Sequence, residues 1–167
     1  MWRFFRTPGM TATRVEAFVS TAEAILGKPV GQVATEHCFY AETGHHAGTA
    51  LTDRDADILR YVLSETFEPD RFGDGSFLEG RFPTVLEYGP RLNFETAWSS
   101  AAVEICRRSG VGAVWRLERS MRLGLPLTVT EEQAEALVNI LRDRMTEMRY
   151  RQPLTSFETG LTPQPVE

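Results

Sequence analysis

The side chains most able to do chemistry in this 167-residue sequence fall into four groups. Glu42, His45 and His46 come nearest to a metal cluster, since imidazole and carboxylate together suit zinc. Two of the three are neighbours and the remaining histidine, His37, stands on the preceding segment, so a solvated loop is the plainer reading. His37 and Cys38 could be paired as base and nucleophile, but adjacent residues of a strand point to opposite faces and cannot hydrogen-bond to each other. Asp70, Asp74 and Ser76 have the flavour of a calcium loop without its alternating acidic ligands or closing glutamate, and read as a mobile acidic connection. No GxxxxGK[ST] or GxGxxG run marks a nucleotide site.

The fourth group lies in residues 87–107, EYGPRLNFETAWSSAAVEICR. A strand ending at Gly89 and Pro90 leads through a polar-aromatic loop into a helix start. Backbone donors there, with Arg91 and the hydroxyls of Thr96, Ser99 and Ser100, could hold a phosphate or carboxylate. The other reading is that Thr96 or Ser99 caps the helix while Trp98 packs on the sheet.

Four helices and four main strands must position these groups. Residues 2–6 read as a strand ending in a turn at Pro8 and Gly9. Val15, Phe18, Val19, Ala22 and Leu26 then recur at helical spacing, with Thr13 and Glu16 as a capping box and Gly27 and Pro29 as the stop. Residues 31–43 read as a strand, and a second helix capped by Thr52 and Asp55 turns Ile58, Leu59, Val62 and Leu63 inward. A Gly, Pro and Asp-rich connection over 68–82 ends a first half, residues 1–67.

The order repeats over 83–147: strand 84–88, helix 96–108, strand 113–123, and a helix from 130 to about 148 capped by Thr130 and Gln133. In the third of these, Trp115, Leu117, Met121 and Leu123 alternate with Arg116, Glu118, Ser120 and Arg122, as in a sheet with one covered face, and Arg119 falls on the apolar side. Val30-Gly31-Gln32-Val33 resembles Val111-Gly112-Ala113-Val114, and Leu51-Thr52 resembles Val129-Thr130. The fold class expected is α+β, with helices packed on a mainly antiparallel sheet in two pseudo-repeated β-α-β-α halves, ferredoxin-like. Residues 148–167, with three prolines and little apolar periodicity, read as the start of a linker.

A net charge of −5 and a pI near 5.3 weigh against a general nucleic-acid or anionic-membrane binder. Of 18 basic residues only Lys28 is lysine, a bias that suits carboxylate and phosphate recognition and that genome composition also produces. Cys38 and Cys106 lack CxxC spacing, and no run of about 18 apolar residues is present, so a soluble cytoplasmic protein is expected.

The segment Gly89-Pro90-Arg91-Leu92-Asn93-Phe94, followed by Trp98-Ser99-Ser100 and Ile105-Cys106-Arg107, resembles the N-terminal domain of the large formylglycinamide ribonucleotide amidotransferases. Leu63-Ser64-Glu65-Thr66-Phe67-Glu68-Pro69, Arg116-Leu117-Glu118-Arg119-Ser120 and Arg142-Asp143-Arg144-Met145-Thr146-Glu147 agree in the same order. Glu95 stands where that family has a small hydroxyl residue.

The resemblance implies a domain like two fused copies of a small structural subunit, bridging a synthetase and a glutaminase region and helping ammonia pass between them. In that family ATP activates an amide oxygen, and ammonia released from glutamine displaces the phosphate to give an amidine. ATP and Mg are expected in the synthetase region outside this chain, with no cofactor, metal or catalytic residue in the chain itself. Arg91, Asn93, Thr96, Trp98, Ser99 and Ser100 are the candidate interface or substrate-proximal residues, and neither nucleic acid nor membrane is an expected partner. A free-standing ferredoxin-like regulatory domain binding a small molecule is the alternative, followed by a metal hydrolase built on His37, His45 and His46.

Overall fold

The computed structural model describes residues 1–43, 51–63 and 69–157. Its elements run β1 (Trp2–Arg6), α1 (Ala12–Leu26), β2 (Ala34–Thr43), α2 (Asp53–Leu63), a 3-10 turn (Pro69–Arg71), β3 (Phe72–Gly73), β4 (Thr84–Pro90), α3 (Ala97–Arg108), β5 (Val114–Leu125), α4 (Glu131–Leu141) and β6 (Glu147–Arg149). The strands form one sheet ordered β3-β1-β2-β5-β4-β6, with every neighbouring pair antiparallel. This is the expected α+β arrangement of four helices on an antiparallel sheet, consistent with a ferredoxin-like fold.

Each helix opens on a threonine. Thr52 and Asp55 satisfy each other's backbone N–H at the start of α2, and Thr130 and Gln133 do so at α4, as the sequence predicts. At α1 the cap is Thr11, whose hydroxyl accepts from the Arg14 N–H, and not Thr13. Met10 is buried in the core and fixes the chain's entry, so the helix is already running when Thr13 is reached.

Other boundaries shift for equally local reasons. Gly31 sits at φ 84°, in the left-handed region, and β2 starts beyond it at Ala34. The last helix stops at Leu141 and not near 148. The Asp143 carboxylate accepts from the Met145 and Thr146 N–H groups and folds a turn, after which β6 pairs with the end of β4.

The two halves interlock on the helix side. α1 and α4 pack over β4 and β5, placing Phe18, Ala22 and Val33 beside Leu86, Met121, Leu123, Leu137 and Val138. α2 and α3 cover β1 and β2, with Phe4, Phe39, Leu59 and Leu63 against Ala102, Cys106 and Leu117. Each cluster draws on both halves, so neither half has a core of its own.

The largest departure from expectation is on the other face. Arg116, Glu118, Ser120 and Arg122 alternate as expected but do not meet water: all four are buried. Two aperiodic segments lie across them, residues 74–82 and a strap formed by 150–157. Flat positions in the strands seat their rings. An added Cβ at Gly124 would stand 2.6 Å from the Phe82 ring, and one at Gly89 would stand 2.9 Å from that of Tyr150.

Both segments are fastened alike, by a β2 glutamate that accepts from a serine hydroxyl and from the next backbone N–H. Glu36 takes Ser76 Oγ at 2.6 Å and Phe77 N at 2.8 Å, and Glu42 takes Ser156 Oγ at 2.5 Å and Phe157 N at 2.8 Å. The expected mobile acidic connection is thus held in place, with Asp74 also gripped by Arg60 at 2.9 and 2.6 Å. Of the expected linker, residues 148–157 lie on the sheet, while 158–167 lie outside the described residues.

Trp115 also changes face. Glu42 pairs with Arg116 but Thr43 pairs with Val114, so Trp115 is the extra residue of a bulge and packs with the cluster of Cys38, Tyr40 and Tyr150, away from Leu117. Gly89→Ala tests the seating of the strap. Its methyl group would enter space held by the Tyr150 ring, and a loss of about 1–3 kcal/mol is expected. The urea midpoint measures it, and an unchanged midpoint would mean that Tyr150 is not firmly seated.

Candidate functional site

The first turn of α3 gathers four of the six candidate residues, and internal groups already occupy it. Thr96 Oγ1 accepts from the Ser99 N–H at 3.0 Å and donates to Glu118 Oε2 at 2.8 Å, while Thr96 N donates to Glu118 Oε1 at 3.1 Å. Glu118, buried on β5, supplies the negative charge that a bound anion would bring to this helix start. Arg116 lies 3.5 Å from it and donates to the carbonyls of Leu92 and Phe94, so the loop is strung across a buried ion pair.

Ser99 is fully buried, where its Oγ accepts from the Leu117 N–H and donates to Glu95, both at 3.4 Å. Ser100 donates to the Thr96 carbonyl at 3.3 Å. Trp98 packs on the sheet, its ring 5.9 Å from that of Phe39 and 4.9 Å from the Arg119 guanidinium, which explains the charge on the apolar face. Asn93 is exposed. Arg91 points elsewhere, donating to the Arg144 carbonyl at 2.7 Å.

Thr96→Ala removes the cap and takes the hydroxyl donor from the buried Glu118 carboxylate, so a loss of about 2–3 kcal/mol is expected, largely restored in Thr96→Ser. Thermal unfolding of the two variants checks this. Equal losses in both would show that the hydroxyl is immaterial.

Sequence reasoning missed a second buried constellation, centred on Arg122. Its Nη1 lies 2.9 Å from Glu36 Oε1, its Nη2 2.6 Å from Glu79 Oε1 and its Nε 3.7 Å from Glu87 Oε1. Glu87 in turn accepts from Tyr40 at 2.7 Å and Ser120 at 2.5 Å. Burial pushes the Glu36 carboxyl above its ordinary range, against the pull of Ser76, the Phe77 N–H and Arg122. It does the same to Glu87, against Ser120, Tyr40 and Arg122. The available signal was an arginine on one strand and glutamates on others, all with the parity of the polar face. Their register is a tertiary fact.

Cys38 is fully buried, and burial followed by the Glu87 charge drives its thiol far up. Burial likewise pushes Cys106 up to about 11, so both cysteines are inert packing groups. His37 faces the opposite side from Cys38, with Nδ1 3.2 Å from the Ser120 carbonyl. Glu42 is engaged by the strap, and His45 and His46 lie outside the described residues. Among the described residues no three His, Cys, Asp or Glu side chains are grouped to hold a metal, and no helix is long and apolar enough to cross a membrane.

The relatives of this chain place it. "Probable phosphoribosylformylglycinamidine synthase, chloroplastic/mitochondrial" of Arabidopsis thaliana is 36% identical over 173 residues, which cover 98% of this chain and 12% of that protein. Phosphoribosylformylglycinamidine synthase of Dictyostelium discoideum is 31% identical over 172 residues, with the same 98% and 12% coverage. The Homo sapiens protein of that name is 40% identical over 92 residues, 53% of this chain and 7% of its own. The chain therefore spans about an eighth of the length of the first two relatives. Residues 36–156 match the family described as formylglycinamide ribonucleotide amidotransferase N-terminal, and with that match across the buried network, the α3 start and the strap, the chain belongs to this family.

Proposed function

We propose that this chain is the non-catalytic structural and coupling domain of a phosphoribosylformylglycinamidine synthase acting in purine biosynthesis. In this reading residues 1–147 form the structural domain, with halves 1–67 and 83–147 joined by 68–82, and 148–167 begin the connection to further regions. The domain bridges a synthetase region, which holds ATP and Mg, and a glutaminase region that releases ammonia. It helps confine that ammonia, which on escape into water would protonate and cease to be a nucleophile. The exposed side of the loop carrying Arg91 and Asn93, with Trp98 and Ser100 on α3, is the proposed contact surface, and Thr96 and Ser99 hold it in shape. The enzyme is proposed to work in the cytoplasm.

One observation carries the structural half of the proposal: the charged groups most suited to chemistry are buried and bonded internally, Glu36 and Arg122 to residues 76–79, Glu118 and Arg116 to the start of α3 and its loop, and Glu87 to Tyr40 and Ser120. Groups fixed in this way support a scaffold and leave no open nucleophile or base among them. The purified chain, assayed alone for glutamine hydrolysis and ATP turnover, is expected to be inactive in both. Turnover by the chain alone would overturn the proposal.

A further inference from the structure

Four guanidinium groups converge beside the β6 edge of the sheet. Arg91 follows β4, Arg142 caps α4, Arg149 ends β6 and Arg151 lies in the strap; with Glu135, Met148 and Leu154 they line an open pocket of about 450 Å³. A pocket of this size suits a small metabolite.

Two of the four charges are already cancelled. Arg149 Nη1 lies 2.5 Å from Glu131 and 3.2 Å from Glu135, and Arg151 lies 3.3 Å and 3.0 Å from the same two carboxylates. Arg91 and Arg142 have no carboxylate partner among the described residues. They are held by neutral acceptors: Arg91 by the Arg144 carbonyl at 2.7 Å, and Arg142 by Asn139 Oδ1 at 2.7 Å and the Glu147 carbonyl at 3.2 Å. Two fixed, uncompensated positive charges thus face one cavity in a chain whose net charge is −5. In the same wall, Arg149 Nε is a buried donor with no acceptor among the described residues.

We infer that this pocket binds the phosphate group of a small phosphate monoester. Such a group carries a charge of about −1.5 to −2 at pH 7, which matches the two unpaired guanidiniums. Its oxygens fit the planar forks of Arg91 and Arg142, already oriented by their carbonyl and amide acceptors. Met148 and Leu154 give the ester's organic part an apolar wall. A monocarboxylate brings a single charge and leaves half of the pocket's positive charge unmatched. The start of α3, where the sequence allows either an anion or a cap, is filled by Glu118, whereas the carboxylate lining this pocket, Glu135, is already taken by Arg149 and Arg151.

Titration calorimetry of the 167-residue chain with inorganic phosphate and with glycerol 3-phosphate, in chloride buffer at constant ionic strength, tests the inference. Saturable one-to-one binding of both is expected. Arg91→Gln and Arg142→Gln should each weaken it by about tenfold, and Arg91→Lys, which keeps the charge but loses the fork, by less. Arg144→Gln, exposed and outside the pocket, should leave affinity within about twofold. Circular dichroism melts establish that the variants are folded, and the lysine variant keeps the comparison open should one glutamine variant unfold. Absence of saturable binding, affinity unchanged in the Arg91 and Arg142 variants, equal binding of acetate, or preference for an acidic peptide over both phosphates would overturn it. Binding is read on the chain alone, so its outcome is separate from that of the coupling role.

Discussion

Replacing Arg122 with methionine is expected to lower folding stability by about 3–5 kcal/mol at pH 7, because it leaves two buried carboxylates without their shared cation. Glu36 is 0% exposed and Glu87 5%, and Arg122 bonds the first directly and stands 3.7 Å from the second. Burial already raises both carboxyls above the ordinary 4.5. A group whose folded pKa is raised contributes stability that is full below the unfolded value and fades as pH rises through the folded one. Without Arg122 both values climb further, so the deficit should be smallest near pH 4.5 and largest at pH 7 to 8. Exposed carboxyls such as Asp74 and Glu104, lowered by Arg60 and Arg107, shift stability in the opposite sense but are common to both proteins and cancel in the difference. Urea unfolding across that pH range measures it; a deficit that does not vary with pH would contradict the assignment.

Phe39→Ala is expected to cost about 3–5 kcal/mol and to move the whole molecule. Phe39 is 1% exposed on β2, its ring 5.9 Å from Trp98 of α3 and 6.3 Å from Phe72 of β3, with the Arg6 guanidinium 5.3 Å from its centroid. One deletion therefore opens contacts among the first half, the connection and the second half. Far-ultraviolet circular dichroism and tryptophan fluorescence should report coincident transitions, both shifted to lower denaturant. Two separated transitions would mean that the halves fold independently, contrary to the shared clusters of α1 with α4 and α2 with α3.

What the sequence made legible follows from the range of its signals. Helical spacing at Val15, Phe18, Val19, Ala22 and Leu26 and the caps at Thr52, Thr96 and Thr130 are local patterns, and local backbone chemistry decides them. Alternation along β5 identified which residues share a face. It did not reveal that the Arg116–Arg122 face is covered, because the covering segments, 74–82 and 150–157, have no period of their own. Their attachment depends on single contacts, such as Ser76 on Glu36 and Ser156 on Glu42, between residues far apart in the chain. The same limit hid β6, since 142–149 keeps helical composition and only the Asp143 turn ends the helix. At the candidate site, Thr96 as cap and Trp98 as packing residue were readable from type and position. Glu118 as their partner was not, and it turns an apparent anion site into an internal one.

The strap links this architecture to the proposed role. Residues 150–157 cross the sheet's second face and end in the clasp of Ser156 and Phe157 on Glu42, with Phe157 stacked 4.6 Å from the Arg116 guanidinium that also holds the α3 loop. A pull on the strap would reach that loop through Arg116, through the Tyr150 hydroxyl on the Pro90 carbonyl, and through the packing of Leu92 in the same cluster.

The most direct test of a coupling domain compares two ways of feeding nitrogen to the complete synthase of which the chain is proposed to be the N-terminal domain. Amidine formation is measured with glutamine and, separately, with ammonium salts, in the intact enzyme and in one lacking residues 1–157 or carrying Glu42→Ala with Phe157→Ala. The expected result is a large loss of glutamine-dependent product, with more glutamine hydrolysed per product formed, while ammonia-dependent synthesis persists. Equal loss of both activities, or glutamine-dependent synthesis undiminished without the domain, would contradict it.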